Sequence, residues 1–316
     1  MMDSSPALAE VARPPRAAPR VSRRERARNR AAYVFLLPWL VGFVVIVAGP
    51  MIASLVLSFT DYRLLDVPEW IGFGNYVQMF TADQRFYDAL GVTAVYVFVG
   101  VPLQLLVAFG LALLLDRGIR GLSIYRAVFY LPSILGGSVA IALLWRQIFG
   151  RDGLVNDVLA IFGLTGPSWV GDPDFALSTL IILLMWQFGS PMIIFLAGLR
   201  QIPRELYDAA AVDGAGRTRQ FRSITIPMLS PIIFFNLVLQ IVTAFQAFTP
   251  AYILSGGSGG PANSTLFYTL HLYNQGFRYL NMGYASALAW TLVLVIGIFT
   301  AANFLGSRFW VFYGDR

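Results

Sequence analysis

The chain has 316 residues, of which 57% are hydrophobic and 13% charged, with 23 basic against 17 acidic side chains. Its mean hydropathy is +0.65, and since a soluble domain is nearer one quarter charged, an ordinary soluble enzyme is excluded. Cysteine is absent, histidine occurs once, as His271, and every basic residue is arginine. Disulfides, thiolate metal sites, cysteine nucleophiles and a phosphate-loop lysine are therefore excluded, and one histidine argues against a histidine-metal cluster or a serine–histidine triad. If ATP is used, another chain must hydrolyse it.

Residues 1–30 hold eight arginines among Pro/Ala-rich stretches and too few apolar residues for a core, which predicts a disordered basic tail. Arg23-Arg24 hints at a twin-arginine export signal, but the apolar stretch that follows is too long for one, so an uncleaved first span is expected. The rest, 31–316, reads as one membrane domain. A bilayer core needs roughly 20 apolar residues as helix, because no water satisfies exposed backbone groups there. Windows free of charge run over 31–60, 89–115, 127–145, 175–199, 228–250 and 279–307, predicting an all-α chain with six spans. The Ser255-Gly256-Gly257-Ser258-Gly259-Gly260-Pro261 run reads as a connecting loop. No lysine follows it, which argues against phosphate binding.

Arginine bias sets the expected orientation. With the N-terminus in the cytoplasm, that side collects the eight tail arginines, three in 116–126, five in 200–222, and Arg308 and Arg316. Only Arg63, Arg85, Arg146, Arg151 and Arg278 stay outside. Both termini are thus expected in the cytoplasm.

No window contains an acidic or basic side chain, which argues against ion-driven transport and charged selectivity rings. The polar residues within the spans are neutral. Asn236, Gln240 and Thr243 recur at i, i+4 and i+7 on one helix face, with Gln246 one turn on. They either bond neighbouring helices or line a path for a polar, uncharged solute. Trp145, Trp186, Gln187 and Trp290 add aromatic and amide groups; aromatic faces suit sugar rings, though interfacial tryptophans need no solute to explain them. These readings make Trp145, Gln187, Asn236, Gln240, Thr243 and Gln246 the candidate path.

The 200–227 loop is more specific. Pro203 is placed to open a helix, with acidic Glu205 and Asp208 in its first turns. Leu206, Ala209, Ala210 and Asp213 run along it, and Gly214 suits a sharp turn because glycine tolerates positive φ. A second short helix would carry Arg217, Arg219 and Arg222 with Phe221 as its apolar contact, and Pro227 marks where the next span starts. A helix–turn–helix that is half apolar and half charged should dock onto something.

Asp208-Ala209-Ala210, Gly214 four residues later, and Ile224-x-Ile226-Pro227 after nine more resemble the signature of binding-protein-dependent ABC importer permeases. Asp208 stands where that signature has Glu, and Ile226 where it has Leu. Phe73-Gly74-Asn75-Tyr76, Gly153-Leu154-Val155-Asn156, Ala197-Gly198-Leu199 and Met282-Gly283-Tyr284 are similar to the family's sugar-uptake branch, which includes permeases for maltose-like oligosaccharides, trehalose and glycerol-3-phosphate.

The resemblance implies the six-helix transmembrane domain of a type I ABC importer in the bacterial cytoplasmic membrane, working by alternating access. It implies a sister permease, two copies of a cytoplasmic ATPase that binds ATP and Mg, an extracytoplasmic solute-binding protein, and no cofactor, metal or catalytic residue in this chain. Lipid surrounds it, and nucleic acid is not an expected partner. Coupling to the ATPase falls on the 200–223 loop and its exit, at Glu205, Asp208, Ala209, Ala210, Asp213, Gly214, Ile224 and Pro227. The alternatives are a polyol-phosphate permease, which would want an arginine near its path, and a membrane enzyme acting on lipid-linked sugars. For the second, Asp152, Asp157, Asp172 and Asp174 form the acidic cluster, which solvated loop charge explains better.

Overall fold

The computed structural model describes residues 23–118 and 121–312, and the chain divides into two compact units between Ala53 and Ser54. In the first unit, a helix runs over Arg23–Gly42 and continues through a wider, π-helical turn at Phe43–Ala48 into the helix Gly49–Leu57, whose residues from Ser54 on belong to the second. It begins inside the segment expected to lack structure. Arg23 to Arg30 is rich in good helix formers, and joining an apolar span relieves it of nucleating a helix alone. Residues 1–22 lie outside the described residues.

Among the described residues, four helices are long and apolar enough to cross a bilayer: Tyr33–Leu57, Gln84–Asp116, Arg217–Leu254 and Met282–Ser307. Two bent pairs bring the number to six. Leu122–Leu135 meets Val139–Ile148 at 94°, and Pro173–Trp186 meets Gly189–Leu199 at 41°. The third span thus differs from the unbroken 127–145 helix expected. Gly136-Gly137 interrupts it, and Ser138, with extended backbone, restarts the chain as the cap of the second half, its Oγ accepting from the Ile141 N–H at 3.3 Å.

Prolines leave a second imprint. The wider turns Phe43–Ala48, Tyr96–Gly100 and Phe221–Thr225 each end two residues before a proline, Pro50, Pro102 and Pro227. Proline has no N–H to donate and its ring crowds the carbonyl four residues back, so the preceding turn opens without breaking the helix. For that reason the fifth span does not start at Pro227 but runs through it from Arg217.

In the second unit, Gly189–Leu199 packs against Val101–Asp116 and against Ile226–Phe245. Ala108, Ala112, Met192, Phe195 and Leu196 are buried there. A Cβ on Gly189 would lie 2.5 Å from the Phe129 carbonyl oxygen, so glycine is what lets the third and fourth spans meet backbone to backbone. Alongside the helices, the described residues hold one strand pair, Thr60–Asp61 antiparallel to Glu69–Trp70. Buried Asn75 fastens it by donating to the Ser58 and Thr60 carbonyls, each at 2.9 Å. Asn156 does the same for the 150–169 loop, donating to the Arg151 and Pro167 carbonyls and accepting from Trp169 Nε1 at 2.8 Å.

Candidate functional site

The 200–227 loop folds as a short helix, Arg204–Val212, with Pro203 just outside it at φ −59°, ψ 133°. Its C-terminus closes in a Schellman motif. Gly214 N–H donates to the Ala211 carbonyl at 3.0 Å and Ala215 N–H to the Ala210 carbonyl at 2.8 Å, with Gly214 at φ +75°. Asp213 is the C-cap, and Gly216 precedes the Arg217–Gln220 turn that opens the fifth span.

Tyr207, Thr225 and Gln220, which sequence reasoning missed, pin this loop together with Phe221, the apolar contact expected of its second helix. Tyr207 Oη and Thr225 Oγ1 are hydrogen-bonded at 2.9 Å, and Gln220 Nε2 donates to the Ala215 carbonyl at 3.1 Å. Phe221 meets Phe109 with ring centroids 6.1 Å apart. Glu205, Asp208, Ala209 and Val212 lie at helical spacing on one face, all exposed, Val212 by 89%. Asp213 and Gly214 are exposed at the turn, and Ala210 is half-buried. Ile224 and Pro227 belong instead to the fifth span, where both are half-buried. A cleft of about 550 Å³ beside the short helix is lined by Asp116, Arg200, Arg204 and Tyr207 among others. Arg200 Nε and Asp116 Oδ1 approach to 3.8 Å there, an exposed pair that contributes little.

A second cavity, about 370 Å³, lies where the broken spans converge. Gln187, Thr243 and Gln246 line it, joined by Tyr96, Gly137 and Phe248, which sequence reasoning did not single out. Among the described residues no carboxylate, histidine or arginine lines it, and its amide and hydroxyl groups can exchange hydrogen bonds with a neutral solute. The bend at Gln187 frees its carbonyl, and two side chains from other spans take it up: Gln104 Nε2 at 3.0 Å and Ser133 Oγ at 2.9 Å. Ser133 Oγ also accepts from the Ser190 N–H at 2.9 Å, capping the restarted helix. Backbone opened at membrane depth is thus satisfied within the protein.

The other path candidates lie elsewhere. Trp145 is half-buried, with Nε1 donating to the Thr179 carbonyl at 3.0 Å. Gln240 is half-buried and outside the cavity lining. Asn236 is fully buried, and neither its Nδ2 nor its Oδ1 has a partner among the described residues.

His271 is buried against Asp83, Nε2 to Oδ2 2.9 Å, and the Tyr284 hydroxyl donates to the same oxygen at 2.6 Å. Burial holds the His271 pKa below its ordinary value, against the pull of Asp83. For Asp83, burial works upward, but the Tyr284 hydrogen bond and the facing His271 together outweigh it and lower the pKa.

Residues 85–310 match the family model described as "binding-protein-dependent transport system inner membrane component". The chain is 50% identical over 296 residues to the probable ABC transporter permease protein YesP of Bacillus subtilis, covering 93% of this chain and 96% of that one. It is 33% identical to the lactose transport system permease protein LacF of Rhizobium radiobacter, over 87% of this chain and 93% of LacF. Its fold is similar to a chain of a bacterial ABC transporter involved in the import of the acidic polysaccharide alginate. There the TM-score is 0.73 at 22% identity, covering 90% of this chain and 97% of the other.

Proposed function

The chain belongs to the family of binding-protein-dependent transport system inner membrane components, and from that premise we propose that it is the permease half-site of an ATP-driven importer for a neutral sugar or oligosaccharide. The observation that carries the reading is the pairing of two features in one chain. One is an exposed, rigidly turned helix, Arg204–Val212, outside the apolar spans. The other is a charge-free, amide-lined cavity between broken spans.

The helix is the piece that seats in an ATPase subunit. Ala209 and Val212 supply the apolar contact, Glu205, Asp208 and Asp213 the charge, and Gly214 the turn that aims it. Arginine bias puts this loop and both termini in the cytoplasm. Closure of two ATPase subunits on ATP and Mg pulls the helix, and the fifth span follows, because the Tyr207–Thr225 bond ties the two. The cavity then opens outward to a solute-binding protein, and hydrolysis returns it inward. Solute passes between this chain and a sister permease, against Gln187, Thr243 and Gln246. LacF is named for lactose, and the absence of charge from the cavity lining favours a neutral sugar over a polyol phosphate.

The test is purification in mild detergent from the native membrane, with mass spectrometry of what stays bound and a sugar screen of ATP hydrolysis. A second six-span permease and a lysine-bearing P-loop ATPase, stimulated by a neutral sugar with its binding protein, are expected. A chain that purifies alone or only with itself in several detergents contradicts the reading.

A further inference from the structure

The cavity does not end in a wall of aliphatic side chains. Phe248 lines it, and from Phe248 a set of rings runs away from it. Its centroid is 5.3 Å from Tyr252 and 5.1 Å from Tyr273; those two meet edge to face at 5.5 Å; and Phe277 stacks on Tyr273 at 5.2 Å and 28°. The rings come as two i, i+4 pairs from separate segments, one at the start of the helix Thr249–Leu254, the other across Tyr268–Tyr273 and the wider turn that follows it. Cross-links hold the segments in register: Thr269 Oγ1 donates to the Ala247 carbonyl, and Asn274 Nδ2 to the Gly257 carbonyl at 3.1 Å.

Phe277 is 63% exposed, beside Arg278 and outside the apolar spans among the described residues. The hydroxyls of Tyr252 and Tyr273 have no protein partner among the described residues. Flat π-faces with unspent hydroxyls at the rim match a sugar ring, which presents C–H bonds on its face and hydroxyls at its edge.

We infer that Phe248, Tyr252, Tyr273 and Phe277 form a stacking track that receives a sugar ring at Phe277 and passes it to the amide-lined cavity; this rests on the sugar-importer reading. The test uses the whole complex, with its binding protein, in sealed vesicles, offered labelled lactose, maltose, arabinotriose and further neutral sugars; the one imported by the wild type becomes the probe. The readout is sugar imported per ATP hydrolysed at saturating loaded binding protein. Phe277→Leu and Tyr273→Leu, which keep apolar volume but lose the ring, should lower that ratio about two- to tenfold, the scale of one lost stacking contact. Phe277→Trp should keep it.

Because the chain has no cysteine of its own, Phe277→Cys gives an independent reading. An impermeant thiol reagent added outside should label it, and loaded binding protein should slow the labelling. Wild-type ratios in both leucine variants, or a Phe277→Cys site inert to the reagent, overturn the track. A wild-type complex that imports no neutral sugar overturns the sugar reading itself, and the track with it, before any variant is compared.

Discussion

Gly214 is where backbone geometry and function meet most sharply. It sits at φ +75°, and a Cβ built on it meets no atom within 4 Å. Substitution therefore costs nothing in steric overlap and acts only through the backbone. A left-handed conformation costs an L-residue about 1–2 kcal/mol, with β-branched side chains at the high end. If valine instead relaxes to negative φ, the Gly214 and Ala215 N–H bonds to Ala211 and Ala210 are lost and the following chain leaves in another direction.

Since about 1–2 kcal/mol corresponds to a factor of 5–30 in population, Gly214→Val should lower binding-protein-stimulated ATP hydrolysis and uptake by that factor in reconstituted vesicles, with membrane insertion intact. Gly214→Asn, the side chain that best tolerates this region, should retain most of both. Wild-type uptake by Gly214→Val, or identical losses in the valine and asparagine variants, would refute the assignment of this turn to coupling.

Three further outcomes follow from the same structure. Ser133→Ala strands the Ser190 N–H and leaves Gln187 with one donor, so it should destabilise the detergent-solubilised chain by about 1–3 kcal/mol, read by denaturant titration. His271, held neutral in the folded chain, binds fewer protons there than when unfolded, so acidification below its ordinary 6.5 should favour unfolding; Asp83, held ionised, adds to this below 3.8. The unfolding midpoint should fall between pH 7 and 5, and His271→Gln should flatten that slope; a pH-independent wild type contradicts the burial argument. Replacing Asp172 and Asp174 together by Asn should leave uptake intact, because asparagine keeps the cap that Asp172 Oδ1 makes with the Asp174 N–H, whereas loss of uptake in a well-assembled variant would favour the enzymatic alternative.

Spans and the turn at Gly214 were legible because each rests on local chemistry: the absence of charge over a membrane's thickness, and a glycine placed just after a helix. The interruptions were not. A window free of charge reports composition, and 127–145 stays apolar through Gly136-Gly137 although the helix turns by 94° there. At Gln187 the break is held open by Ser133 and Gln104, 54 and 83 residues away, and no local pattern announces such partners.

Helical spacing put Asn236, Gln240 and Thr243 on one face. Yet the face passes from packed to open along its length, so Asn236 is buried while Thr243 reaches the cavity. His271 had no visible partner in sequence because Asp83 lies 188 residues before it.

The most direct test of the central claim places a photo-crosslinking side chain at Ala209, on the exposed face of Arg204–Val212, in the native membrane. Irradiation should join this chain to a P-loop ATPase, and the adduct should fall about 5- to 30-fold when Gly214→Val is added. Adducts with other proteins only, or none under conditions where the same probe at an interhelical position reacts, would contradict the assignment of this helix as the contact through which ATP drives the permease.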